Sequence, residues 1–163
     1  MPRILVFLHG TALMHSSAEG RPRDERVAQV RERDPSVRDF DSYIPVGDAV
    51  AKLGRWAQAG ATIAYLSSHR DPAGVETDRA VLARHGFPPG EIFGRRDGEG
   101  YAEVVARAAP DVLVEDDCES IGEEEIAWTQ LDDATRARVR SYVVPEFGGI
   151  DHLPDDVREL AAR

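Results

Sequence analysis

His9 and the acidic run Glu115-Asp116-Asp117, with Glu119 beyond it, combine residue type and setting in a way that could do chemistry. Each follows a short apolar stretch. Ile4 to Leu8 leads into His9-Gly10-Thr11, and Val112 to Val114 leads into the acids. If those stretches are neighbouring strands of a parallel sheet, their carboxyl ends open on one crevice, the place where open α/β sheets bind ligands. A histidine there can serve as general base, metal ligand or phosphate-accepting nucleophile; bonded to a backbone carbonyl it is merely structural. Carboxylates held close together repel unless a cation lies between them. An oxygen-rich set suits Mg²⁺, and adding His9 brings in Mn²⁺ or Zn²⁺. Asp116 leads that ligand set, with Asp117 and His9. The plain alternative is a solvated acidic loop running on into Glu123, Glu124 and Glu125, which read as an acidic helix start.

Ser67 and Ser68 end a third apolar stretch, where hydroxyls bind an anion or cap the following helix. Arg70, Arg95 and Arg96 are candidate anion clamps, although an exposed arginine is usually plain surface. His15, with Ser16 and Ser17, lies in the loop after the first strand. Cys118 sits among carboxylates that disfavour a thiolate, so it reads as inert. Ser68, Asp116 and His152 follow the chain order of a serine hydrolase. A nucleophile elbow needs small residues on both sides, whereas Leu66 and Arg70 flank Ser68. Gly94 to Gly100 lacks the spacing of a dinucleotide or Walker loop and reads as a turn.

The elements that would position these residues alternate between short apolar runs and helical patterns, the signature of a mostly parallel α/β sheet. Strands are expected over 4–9, 61–66, 91–93, 111–115 and 141–144. Residues 10–24 read as loop, and 24–33 as a helix stopped by Asp34-Pro35. Ala49, Val50, Leu53, Trp56 and Ala57 recur at helical spacing before Gly60. Helices are also expected over 75–85, ahead of Gly86, and over 101–108. Residues 118–140 are acidic and then helical, and 153–163 reads as a closing helix begun by Pro154 and Asp155.

The 163 residues suffice for one domain with a full core. A net charge of −10 argues against nucleic-acid or membrane-surface binding. The single cysteine excludes an internal disulfide and fits a reducing compartment. The apolar run at 4–8 is too short for a signal peptide, and no stretch approaches the ~20 apolar residues of a membrane span. A cytoplasmic location is the resulting expectation.

With its elements placed, the chain resembles the haloacid dehalogenase-like (HAD) superfamily over about 40–145 and at the first strand. Pro45 to Leu53, leading on through Gly60 to Ser68, looks like that family's second motif, with Ser67 at the phosphate-binding position. Arg95 and Arg96 lie where the family places its phosphate-neutralising lysine. Glu115-Asp116-Asp117 falls at the acidic motif that holds Mg²⁺. The first motif, Asp-x-Asp-Gly-Thr in the family, is here Phe7-Leu8-His9-Gly10-Thr11. Gly10 and Thr11 match it, Phe7 stands at the nucleophile position, and His9 stands at the acid–base position. A phenylalanine cannot attack phosphorus; here it reads as a core residue.

The resemblance implies one three-layer, Rossmann-like domain over 1–163, with a five-stranded sheet in the order 5-4-1-2-3 and a small cap-like insertion at 12–44. It further implies a metal-dependent phosphoester hydrolase acting on a small phosphorylated metabolite through a metal-activated water. His9 and Asp116 would carry the chemistry, and Gly10, Thr11, Ser67, Ser68, Arg95 and Arg96 would hold the substrate. The alternative is a non-catalytic module that senses a ligand or binds a protein.

Overall fold

The computed structural model describes residues 1–123 and 125–163. In chain order the strands are β1 (Arg3–Phe7), β2 (Leu13–Met14), β3 (Ile44–Pro45), β4 (Thr62–Leu66), β5 (Glu91–Phe93), β6 (Val112–Asp116) and β7 (Arg140–Val144). The α-helices are α1 (Arg23–Arg31), α2 (Ala49–Gln58), α3 (Pro72–His85), α4 (Tyr101–Ala108), α5 (Ala127–Gln130), α6 (Asp133–Arg138) and α7 (Val157–Ala161).

Five strands form one sheet in the order β5-β4-β1-β6-β7, every neighbouring pair parallel. The sequence numbering 5-4-1-2-3 does not carry over, because β2 and β3 pair antiparallel in a sheet of their own and enter the count after β1. By residue range, β1 lies between Thr62–Leu66 and Val112–Asp116.

The central strand is buried on both faces, as a covered parallel sheet requires. Ile4, Val6 and Leu8 pack with Leu53, Trp56 and Val81 of α2 and α3. Leu5 and Phe7 face the other way, toward Val104 and Val105 of α4. The alternation along one strand thus builds two cores, giving a helix–sheet–helix sandwich.

β1 ends at Phe7, earlier than expected, because the chain turns over at once. Amides of Thr11, Ala12 and Leu13 all donate to the Leu8 carbonyl, at 3.2, 3.0 and 2.9 Å. Gly10 makes the turn at φ +99°, backbone that glycine adopts without strain. The expected loop at 10–24 therefore contains β2 and a 3-10 turn at Ser16–Ala18.

Residues between β2 and β3 run across the carboxyl ends of the sheet. From α1, Arg23 and Arg26 donate to the carbonyls of Glu146 and Phe147, and Arg31 to that of Glu119. Farther on, Arg84 of α3 holds the Asp41 carbonyl, at 2.7 Å.

The closing helix starts at Val157, later than expected, with Asp156 accepting from the Arg158 amide. Pro154 and Asp155 are diverted to α2. The Pro154 carbonyl takes the Trp56 indole N–H, and Asp155 takes Lys52 and Arg55. Glu123 bends through φ +57° and α5 begins at Ala127, so Glu123 does not start a helix; Glu124 lies outside the described residues.

Candidate functional site

A cleft of about 180 Å³ opens at the carboxyl ends of β1, β4 and β6. Its lining includes Phe7, His9, Ser68, Asp116, Cys118 and Glu146, roofed by Val30, Val37 and Tyr43. His9, Ser68 and Asp116 line this cleft together because the strands are in parallel register: Phe7 pairs with Leu66, and Val6 with Val114.

Asp116 is almost wholly buried. Its Oδ1 accepts the Thr11 hydroxyl at 2.8 Å and its Oδ2 accepts the Cys118 amide at 3.1 Å. Burial raises its pKa. A methyl group at Gly10 would lie 2.8 Å from Oδ1, so the carboxylate rests directly on the Gly10 backbone. Asp117 turns away: its Oδ1 accepts the amides of Glu119 and Glu146, at 3.2 and 3.0 Å. Glu115, on the opposite face of β6, accepts the amides of Ala127 and Trp128, at 2.7 and 3.0 Å, and burial pushes its carboxyl up to about 7.

His9 is held at both nitrogens. Nδ1 shares a hydrogen bond with Ser68 Oγ at 2.6 Å, and Nε2 lies 2.9 Å from Asp78 Oδ1. Asp78 is fully buried on α3 and accepts the Ser67 hydroxyl at 2.6 Å. Ser67 is therefore occupied inside the core, whereas Ser68 lines the cleft.

These contacts correct the expected ligand set. His9, Asp116 and Asp117 do not converge on one ion, because His9 is drawn to Asp78 and Asp117 to backbone amides. Nor do the residues present fit Mg²⁺ as the HAD resemblance places it. Phe7 offers no oxygen where the family pattern has a carboxylate; it packs edge-on to Tyr101 at 5.0 Å.

Arg95 donates to the Ser68 carbonyl through Nη2 at 2.8 Å and lies 4.6 Å over the Tyr101 ring. Arg96 is exposed, and its amide is held by Glu99. Arg70 reaches the Arg96 carbonyl at 3.2 Å. Ser68 meets His9, while His152 is exposed and away from the cleft lining, so the Ser68–Asp116–His152 order assembles no triad. His15 is fully buried against Gln29 and Phe147, which makes it part of the packing. Cys118 stands at φ +54°, and burial first, then the neighbouring carboxylates, push its thiol up.

Three residues of the site were not singled out from the sequence. Asp78 shares a buried face of α3 with Val81 and Leu82, and a carboxylate on an apolar stripe was its signal. His69 directly follows the serines that were noted. Glu146 lies two residues past the end of β7, the same placement as the other strand-end groups. Its side chain accepts the Ser120 amide at 2.8 Å and the Ser120 hydroxyl at 2.9 Å, and burial pushes it up to about 6, with Asp116 and Asp117 adding to the rise.

No family model matches the chain, and no curated protein matches it. Solved structures do. A chain of the Pnkp1/Rnl/Hen1 complex matches with a TM-score of 0.54 at 15% identity, over 90% of this chain and 47% of that one. A chain of the Pnkp1/Rnl/Hen1 RNA repair complex matches with a TM-score of 0.53 at 13% identity, over 89% and 43%. This chain spans less than half the length of either. The D,D-heptose 1.7-bisphosphate phosphatase of B. bronchiseptica, solved with magnesium and phosphate, matches with a TM-score of 0.44 at 16% identity, over 91% and 94%. The first two likenesses are likenesses of fold alone, an α/β architecture.

Proposed function

We infer that the cleft binds a small phosphorylated molecule and hydrolyses its phosphoester by direct attack of water. The observation that carries this reading is the pairing, across one cleft, of two buried carboxyls with raised pKa, Asp116 and Glu146, against Ser68 backed by Arg95. In the reaction one carboxylate takes a proton from water as its oxygen attacks phosphorus. The bond to the leaving oxygen breaks, and the other carboxyl, in its acid form, protonates that oxygen. Neighbouring carboxyls pushed toward neutrality suit such a division of roles. The Ser68 hydroxyl supplies a hydrogen bond to the phosphate, and the Arg95 guanidinium behind it supplies positive charge. Phe7 excludes an aspartyl-phosphate intermediate at its position. Residues 12–44 act as the cap over a single domain, shedding water from the roof of the cleft. The acidic surface favours a small substrate in the cytoplasm over nucleic acid.

Phe7 also favours a second reading, in which the cleft binds the phosphorylated ligand without turning it over. A phosphoester panel that includes sugar phosphates, nucleotides and a 3′-phosphorylated oligonucleotide separates the two. Hydrolysis should rise with pH through about 6 as Glu146 ionises, and Glu146→Gln should remove that limb and at least tenfold of kcat/KM, within the usual range for proton-transfer groups. Saturable binding of a panel member with no turnover would favour the binding module. Turnover of the oligonucleotide alone would move the substrate class to nucleic acid.

A further inference from the structure

Beneath the cap, on the far side of His9 from Ser68, three metal-binding groups point at one another. His9 Nε2 lies 2.9 Å from Asp78 Oδ1, and His69 Nε2 lies 3.8 Å from the same oxygen. Among the described residues, these form the cluster whose three donor atoms all fall within 4.8 Å of one another. The side chain of Asp78 is only 1% exposed, and the ion-pair partners it has among the described residues are these two imidazoles. His69 Nε2 is buried without a hydrogen-bond partner. A buried carboxylate with no permanent cation and an orphaned ring nitrogen each cost free energy. One cation at their common centre relieves both.

The surroundings match what a metal site requires beyond its ligands. The second atom of each of two ligands is already fixed: His9 Nδ1 by Ser68 Oγ, and Asp78 Oδ2 by the Ser67 hydroxyl. Such outer contacts set ring tautomer and ligand orientation. His69 packs closely against the start of α3, where a methyl group at Gly74 would fall 2.4 Å from its Cγ. Phe40 closes over both imidazoles, with ring centroids 5.1 Å from His9 and 4.5 Å from His69. Two imidazoles and one carboxylate form a borderline set, suited to Zn²⁺ or Mn²⁺ rather than Mg²⁺. Tetrahedral Zn²⁺ with bonds of about 2.0–2.1 Å needs donors about 3.3 Å apart, and the two separations bracket that value.

We propose that His9, His69 and Asp78 form a transition-metal site, with Zn²⁺ the favoured occupant and a water in the fourth position. Bound through Nε2, His9 carries its proton on Nδ1 and donates it to Ser68 Oγ. The Ser68 O–H is then left free to donate to a ligand in the cleft. The metal assignment stands apart from the hydrolytic reading; only its consequence for Ser68 rests on it.

The chain, stripped with chelator, is titrated with Co²⁺ and followed by visible absorption, and Zn²⁺ is then added as competitor. The expected result is one Co²⁺ per chain with a tetrahedral spectrum, displaced by Zn²⁺. His69→Gln should lose at least 100-fold in affinity and Ser68→Ala about tenfold, the range for ligand and outer-contact changes. Asp116→Asn should bind as the wild type does. Absence of stoichiometric binding by the folded wild type, or binding lost in Asp116→Asn and kept in His69→Gln, overturns the proposal. Should His69→Gln fail to fold, imidazole NMR of the wild type decides: Zn²⁺ must shift the His9 and His69 resonances and leave those of His15 and His85 in place. Metal binding without phosphoester turnover would keep this site and remove the hydrolytic reading; turnover without metal binding would do the reverse.

Discussion

Thr11 shows how much a single hydroxyl can hold. It is fully buried, and its donation to Asp116 Oδ1, together with that of the Cys118 amide to Oδ2, keeps that carboxylate at the cleft. Thr11→Val preserves shape and removes the donor. The folded state should lose about 1–3 kcal/mol, the usual cost of a buried group left short of a partner, read as a lower urea midpoint at unchanged slope. If the midpoint stays put, Asp116 is held by other contacts. At this scale the sequence showed residue types at strand ends and not their partners. His9, Ser68 and Asp116 were legible as strand-end polar groups. That His9 bonds Ser68 and Asp78, instead of meeting Asp116, depends on how α3 crosses the end of β4, and nothing local to His9 encodes it.

Secondary structure was the most legible level. Periodicity located α4 and β5 at their observed limits, because Tyr101 to Ala108 presents one apolar face and Glu91 to Phe93 is bounded by Gly90 and Gly94. It missed β2 and β3, two-residue strands too short to show a period, and it began the last helix too early. There the tertiary contacts of Pro154 and Asp155 outweigh local preference. Lys52 is central to that diversion: 2% exposed, its Nζ donates to the Leu153 carbonyl at 2.6 Å and to Asp155 at 2.7 Å. Lys52→Met keeps the stem and deletes the donor. It should cost about 2 kcal/mol, within the range for a charged hydrogen bond, and should speed amide exchange in 153–161 before the sheet is affected. Uniform loss of protection across the whole chain would instead mean that α7 and the sheet open as one unit.

Across the whole molecule, buried carboxyls set how stability varies with pH. Glu115 titrates near 7 in the folded chain against an ordinary 4.5, and Glu146 near 6. Both raised values have burial as their largest cause. Between about 4.5 and 7 the folded state binds more protons than the unfolded state, so these groups make stability fall as pH rises through that window. Glu115→Gln stays neutral throughout and keeps an acceptor for α5. The difference in melting temperature between pH 5 and pH 8 should therefore narrow in this variant, and a difference as wide as the wild type's would assign the slope to other groups. Among the described residues no helix is long and apolar enough to cross a membrane. By itself the sequence determined the α/β class, the parallel strands and the polar groups at their ends, because hydrophobic period and turn residues act over a few positions. Only the tertiary structure decided which end groups meet. It placed the buried Asp78 of α3 behind His9, left His69 Nε2 beside them without a hydrogen bond, and set Phe7 against Tyr101. Those contacts join residues tens of positions apart, and burial in the packed fold, which no local pattern contains, fixes their partners.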